Sequence, residues 1–143
     1  VIVTTTAKNN TEASVLLIQK RAVNLIDGLS AQSIKKTGHS DLAKAIKRIL
    51  PYKSITKTWG EEIYFETPII EDLDLENNAK DVINLGEIAY WVEGNCIAIG
   101  YGKTPISINN EIRLATKTNI WGDAKLNVVK LKGIKDGDEV IIS

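Results

Sequence analysis

Five aromatic side chains, Trp59, Tyr64, Tyr90, Trp91 and Tyr101, gather in three short stretches of the chain, with Glu61 and Thr104 beside them. Flat amphipathic rings grip a ligand at low entropic cost, and a few polar groups among them fix its orientation. Trp59, Glu61, Tyr64, Tyr90, Trp91, Tyr101 and Thr104 are therefore expected to rim a ligand-binding groove for a peptide or small molecule. The same rings have a plainer use, which is to fill the interior and bridge it to a helix. Glu61 and Glu62 are adjacent, so on a strand they point to opposite faces, and one can orient a ligand while the other is solvated. That geometry does not support a glycosidase, which needs two carboxyl groups flanking one bond.

The remaining chemistry-bearing residues read more blandly. Gly100-Tyr101-Gly102-Lys103-Thr104 has the look of a phosphate-binding loop, but Ile97 stands where the pattern needs its first Gly, and Pro105 follows at once. It reads as a tight turn between strands. Asp72, Asp74 and Glu76 are spaced like the opening of a calcium loop, yet Asn77 replaces the central Gly and Ile83 the closing Glu. A solvated acidic loop is expected there. Asp136-Gly137-Asp138 reads as another turn. His39, the single histidine, has no nucleophile tied to it by a local motif and reads as surface or cap-associated. Cys96, the single cysteine, excludes an internal disulfide and a cysteine-only zinc site, and in its apolar stretch reads as a buried small side chain. No metal and no cofactor are expected.

These residues must be positioned by short strands. VIVTTTA at the start is rich in β-branched residues and reads as a strand, as does ASVLLIQK (13–20); the turn cluster Lys8-Asn9-Asn10-Thr11 between them predicts a hairpin. Residues 21–37 carry mixed signals and receive no assignment. One helix is predicted from about Asp41 to Leu50, with Ser40 as N-cap, Asp41 and Lys47-Arg48 at the favourable dipole ends, and Pro51 as terminator. Leu42, Ile46, Ile49 and Leu50 form its apolar stripe, which leaves Lys44, Lys47 and Arg48 to solvent. Beyond Pro51, strands are predicted at 62–67, 82–84, 87–92, 96–101, 126–131 and 139–142, punctuated by glycines. In the first of these Ile63 and Phe65 share one face, Glu62 and Tyr64 the other. Many short strands with one or two helices indicate a barrel or sandwich with a helical cap.

A chain of 143 residues, 43% hydrophobic and 25% charged, fits one domain spanning 1–143, in which 1–40 forms a less certain N-terminal extension with strands. Eighteen basic residues balance eighteen acidic ones, so no broad electrostatic footprint for nucleic acid is expected. No apolar run is long enough for a membrane helix and no signal peptide is visible, which makes a cytoplasmic location the expectation. The absence of Met, the single Cys and the plentiful charges lean toward a thermophile, while abundant Asn points the other way.

Three segments, Thr58 to Pro68 (TWGEEIYFETP), Leu85 to Ser107 (LGEIAYWVEGNCIAIGYGKTPIS) and Leu131 to Val140 (LKGIKDGDEV), resemble the small prokaryotic cyclophilin-like family, archaeal or bacterial. Thr58-Trp59-Gly60-Glu61 and Gly102-Lys103-Thr104-Pro105 carry most of the likeness, which runs from Asp41 to the C-terminus. The resemblance implies a mainly β protein, a closed β-barrel like that of the cyclophilins with one or two capping helices. Two departures soften an apolar rim: Val92-Glu93 where the family usually has Pro-Pro, and Gly100-Tyr101 where it often has an aromatic pair. The family brings no established activity. The resemblance thus favours an uncharacterised binding or accessory domain, and since related domains occur in enzyme subunits that handle small cyclic or carbamoylated amides, a small metabolite is a natural ligand. A homodimer through an exposed aromatic surface is a further option. The rival is a peptidyl-prolyl cis-trans isomerase, which needs a proline pocket and a donor, usually Arg, that favours the twisted amide. Of Arg21, Arg48 and Arg113, Arg48 lies on the solvent side of the helix and Arg113 is the best catalytic candidate. The characteristic cyclophilin run around the catalytic Arg is not recognisable here, and catalysis is the less favoured reading.

Overall fold

The structure is a computed structural model that describes residues 2–6, 12–19, 40–126 and 131–143, with side chains for 41–123 and 131–143. Arg21, His39, the unassigned stretch 21–37 and the side chain of Ser40 lie outside the described residues. Ten strands and one helix follow in the order β1 (Ile2–Thr6), β2 (Glu12–Gln19), α1 (Ser40–Ile49), β3 (Tyr52–Ile55), β4 (Lys57–Thr58), β5 (Glu62–Glu66), β6 (Lys80–Ile83), β7 (Glu87–Trp91), β8 (Cys96–Gly100), β9 (Ile112–Leu126) and β10 (Glu139–Ile142). The protein is mainly β with one short helix among the described residues, as the sequence predicts. The N-terminal hairpin forms, with Val3 opposite Leu16 and Thr5 opposite Ala13. Of the strand expected at 126–131, Leu126 belongs to β9 and Leu131 is helical, while 127–130, like the turn cluster 8–11, lie outside the described residues.

The expected closed barrel is corrected to an open sheet. Its hydrogen-bonded path runs β3-β10-β1-β2-β9-β7-β8-β5-β4, with β6 paired to β9 off that path, and no ladder joins the β3 edge to the β4 edge. The physical reason is that both edges belong to one stretch of chain, 52–58. β3 pairs with β10 and β4 with β5, and the chain crosses between the edges at Thr56. Thr56 is fully buried and tied to the turn before β10. Its N–H donates to the Asp138 carbonyl at 2.9 Å, its carbonyl accepts from Gly137 N–H at 2.9 Å, and its hydroxyl donates to the Lys135 carbonyl at 2.9 Å and reaches that of Asp138 at 3.1 Å. Thr56→Val keeps the shape but removes the hydroxyl bonds to the Lys135 and Asp138 carbonyls. We expect it to cost about 1–2 kcal/mol in urea unfolding, and an unchanged midpoint would remove Thr56 from this role.

The sheet has two apolar faces. On one, Leu42, Ala43, Ala45 and Ile46 of α1 pack with Ile63, Phe65, Ile88, Tyr90, Ile97, Ile99, Trp121, Val140 and Ile142, the main core. The apolar stripe of α1 is broader than predicted because its two alanines join it, while Lys44, Lys47 and Arg48 are exposed as expected. Arg48 reaches Glu71 across the surface. On the opposite face Ile83, Ala89, Ala98, Ile112, Leu114 and Ile120 form a second, smaller cluster with Tyr64 packed against it. This outer cluster exists because β9 is long: its later half pairs with β7, from Tyr90–Asn119 to Glu87–Asp123, while its first half carries β6 in a separate ladder. No helix among the described residues is long and apolar enough to cross a membrane.

Candidate functional site

The period of two along β5 sends Glu62 and Tyr64 to the outer face while Ile63 and Phe65 enter the main core. Gly60 turns the chain back between β4 and β5. It stands at φ +60°, and any side chain there would meet the Lys103 carbonyl at 2.7 Å, so the turn is open to glycine alone. Trp59 N–H donates to the Glu62 carbonyl at 2.9 Å across that turn, which brings Trp59 directly opposite Glu62. Next along the sheet lies a cross-strand row in which Tyr64 pairs with Ala98, Ala98 with Ala89, and Ala89 with Ile120. Two methyl side chains in the middle of this row leave a trough between larger neighbours.

The β6–β9 arm walls that trough. Gly100 lets the arm descend onto the sheet: a side chain at that position would collide with Ile112 and crowd Ile83 at 3.1 Å. Lys80 Nζ on β6 lies 2.7 Å from Glu87 Oε2 on β7, and the same oxygen accepts Asn84 N–H at 2.8 Å, which ties the arm down. Where β6 and β9 pair, Lys80 faces Thr118 and Val82 faces Arg113, so extra residues of β9 bulge outward. Leu114, Ala115, Thr116 and Thr118 of that bulge complete a pocket of about 170 Å³ with Trp59, Glu62, Tyr64, Trp91 and Ala98. The rings of Tyr64 and Trp91 stand 6.4 Å apart at 82°, two walls at nearly a right angle. Trp91 is held flat over Gly94, where any side chain would run into its six-membered ring.

Glu62 is the chemical centre of this pocket. It is 7% exposed, and its Oε2 has no hydrogen-bond partner; the indole Nε1 of Trp91 is likewise buried and unpartnered. Burial alone pushes the Glu62 carboxyl up to about 7, since charging it there forfeits hydration that nothing in the pocket replaces. Buried polar atoms in native proteins nearly always have partners, so two orphans on residues that line one pocket call for an explanation.

The seven residues expected at a groove divide sharply. Trp59, Tyr64 and Trp91 come together in the pocket, but Tyr90, Tyr101, Thr104 and Glu61 stand outside it. Tyr90 is 2% exposed, in the main core, with its hydroxyl donating to Asn95 Oδ1 at 2.6 Å. Tyr101 is buried in the same core, and Thr104 is a buried strut whose hydroxyl donates to the Arg113 carbonyl and whose N–H donates to Ser107 Oγ at 3.0 Å. Glu61 packs against Gly102 and faces Lys132 at 3.8 Å on the surface. The pocket carboxylate is its neighbour, Glu62. Arg113 does not line the pocket; its guanidinium is committed to Glu111 at 2.6 and 3.1 Å and to Asp81 at 3.0 Å. Burial and Glu66 push the Cys96 thiol up to about 11, so it remains a neutral, buried side chain. Asp72 and Asp74 are exposed, as a solvated loop requires, but Glu76 is half-buried, its N–H donating to Asn119 Oδ1 at 2.8 Å; among the described residues no group of three His, Cys, Asp or Glu could hold a metal ion. Ala98 and the β9 bulge gave no signal in the sequence, because small and uncharged residues announce a trough only once the register is known.

Comparison with known proteins adds two findings. Residues 22–143 match the family described as cyclophilin-like. The solution structure of the hypothetical protein AF2241 from Archaeoglobus fulgidus is 32% identical, covers 98% of this chain and 91% of its own, and superposes with a TM-score of 0.64. No curated protein matches the chain.

Proposed function

The chain belongs to the cyclophilin-like family, and on that premise we propose that it is a binding or accessory protein whose outer-face pocket holds a small ligand or the side chain of a peptide. The observation that carries this reading is that two residues lining one recess with Trp59, Tyr64, Ala98 and Leu114 each hold a buried, unpartnered polar atom, Glu62 Oε2 and Trp91 Nε1. A mostly apolar concavity with a few convergent polar groups is the usual form of a small-molecule site. One acceptor and one donor give such a ligand an orientation, and the rings give it contact area.

The isomerase reading needs an arginine donor over the bound amide. Arg113 is engaged by Glu111 and Asp81 away from the pocket, whose lining contains no arginine. Binding without chemistry is the reading the geometry supports better.

A metabolite screen followed by tryptophan fluorescence tests it. At least one compound is expected to quench or shift the Trp59 and Trp91 emission, and to bind at least tenfold more weakly to Ala98→Leu, which fills the trough. Hits that bind this variant as well as the native protein would place the ligand elsewhere and overturn the reading.

A further inference from the structure

The pocket has an electrostatic asymmetry that narrows its ligand. Glu62 is its only ionisable lining residue apart from Tyr64, and no Lys or Arg among the described residues pairs with it. Lys57, on the neighbouring strand, is directed to Glu66 at 3.8 Å instead. A carboxylate placed out of water without a counter-charge is costly, and the cost falls when a cation arrives with the ligand. A metal ion is a poor fit, because hard cations need several oxygens and these walls are carbon-rich. The walls suit a different cation. The negative faces of Trp and Tyr rings attract ammonium groups, most strongly when water is excluded, and methylated ammonium ions are the usual beneficiaries. Trp59, Tyr64 and Trp91 line the same pocket as Glu62, with the rings of Tyr64 and Trp91 nearly perpendicular.

Resting on the pocket reading above, we infer that the site takes a small organic ammonium compound, its charge set against Glu62 and its alkyl groups against Trp59, Tyr64 and Trp91. The orphan Trp91 Nε1 adds a second requirement. The ligand then carries an oxygen acceptor, such as a hydroxyl, to which the indole N–H donates.

Choline and 3,3-dimethylbutan-1-ol are nearly identical in shape and differ in the charge of the central atom, and both keep a hydroxyl. Titrated at pH 8 against the native protein and followed by tryptophan fluorescence and amide chemical shifts, choline should bind at least tenfold more tightly than the neutral alcohol. In Glu62→Gln that preference should vanish, with the two compounds binding alike. Trp59→Leu should weaken choline at least fivefold while leaving the spectrum of the main core unchanged. Equal binding of the two compounds to the native protein would overturn the ammonium inference yet keep a ligand pocket. Failure of both to perturb the resonances of Tyr64, Trp91 or Ala98 would also overturn it, and the metabolite screen then judges the pocket separately.

Discussion

Glu62→Gln should make the protein more stable by about 3 kcal/mol at pH 8 and leave it almost unchanged at pH 4. In the unfolded chain this carboxyl titrates near 4.5; in the fold, burial holds it up to about 7. The folded state therefore binds the proton more tightly, and stability falls as pH rises from about 4.5 toward 7, then levels off. Glutamine mimics the protonated carboxyl and removes the dependence. The surrounding charges do not compensate: Lys57 serves Glu66, and the Cys96 thiol stays neutral well above this range. The gain corresponds to a rise in melting temperature on the order of 10 °C at alkaline pH. Urea titrations of both proteins at pH 4, 6 and 8 measure it directly. Parallel curves at all three values would show that Glu62 is solvated or already paired.

A change that large sets the pocket apart from the rest of the fold. Natural domains are stable by only about 5–15 kcal/mol, and a buried, unpaired carboxylate gives up a sizeable part of that. Activity commonly requires such locally unfavourable sites, and stabilising substitutions at them commonly erode function. Glu62→Gln is thus expected to separate stability from binding, improving the first as it abolishes charge selectivity.

Much of this arrangement was legible in the residues, and the failures have physical causes. The alternation over 62–67 places Ile63 and Phe65 on one face and Glu62 and Tyr64 on the other, as they lie in β5, which ends one residue earlier, and the run 139–142 coincides with β10, because both strands have one face buried. The adjacent pair Tyr90-Trp91 follows the same alternation rule, which sends Tyr90 to the core and Trp91 to the pocket; grouping them by ring type concealed this. Glu61 and Glu62 were recognised as opposed, but only the turn at Gly60 decides which of them faces the rings. β9 went unread because its pairing is interrupted by irregularities opposite Lys80–Val82 and Ile88–Ala89, each of which resets the in-out pattern. β3 and β4 went unread because their burial alternates only between half-buried and exposed, the weak contrast of sheet edges. Closure could not be read at all: it depends on which edges meet, and a single residue, Thr56, separates the two.

Asn95 is the residue that sequence reasoning passed over most completely, and replacing it should cost the most. It closes the β7–β8 loop with φ +50°, a conformation that Asn and Gly tolerate and other residues adopt only with strain. Its Oδ1 accepts from the hydroxyls of Thr67 and Tyr90, both at 2.6 Å, and its Nδ2 donates to the carbonyls of Thr67 at 3.2 Å and Ile69 at 2.9 Å. Its own carbonyl accepts Thr67 N–H at 2.9 Å. One amide thus joins the loop, the segment leaving β5 and a core tyrosine. Asn95→Ala should lower stability by about 3–4 kcal/mol, combining the lost hydrogen bonds with backbone strain. Asn95→Gly, which accepts the conformation freely, should cost about 1 kcal/mol less. The difference between the two variants in urea unfolding isolates the backbone contribution. The loop also carries Gly94, the seat of Trp91, so both variants should loosen the indole and weaken any pocket ligand even at temperatures where the fold persists. A loss below 1 kcal/mol in Asn95→Ala would mean that water replaces the amide without penalty. The link from this loop to the pocket would then fail with it.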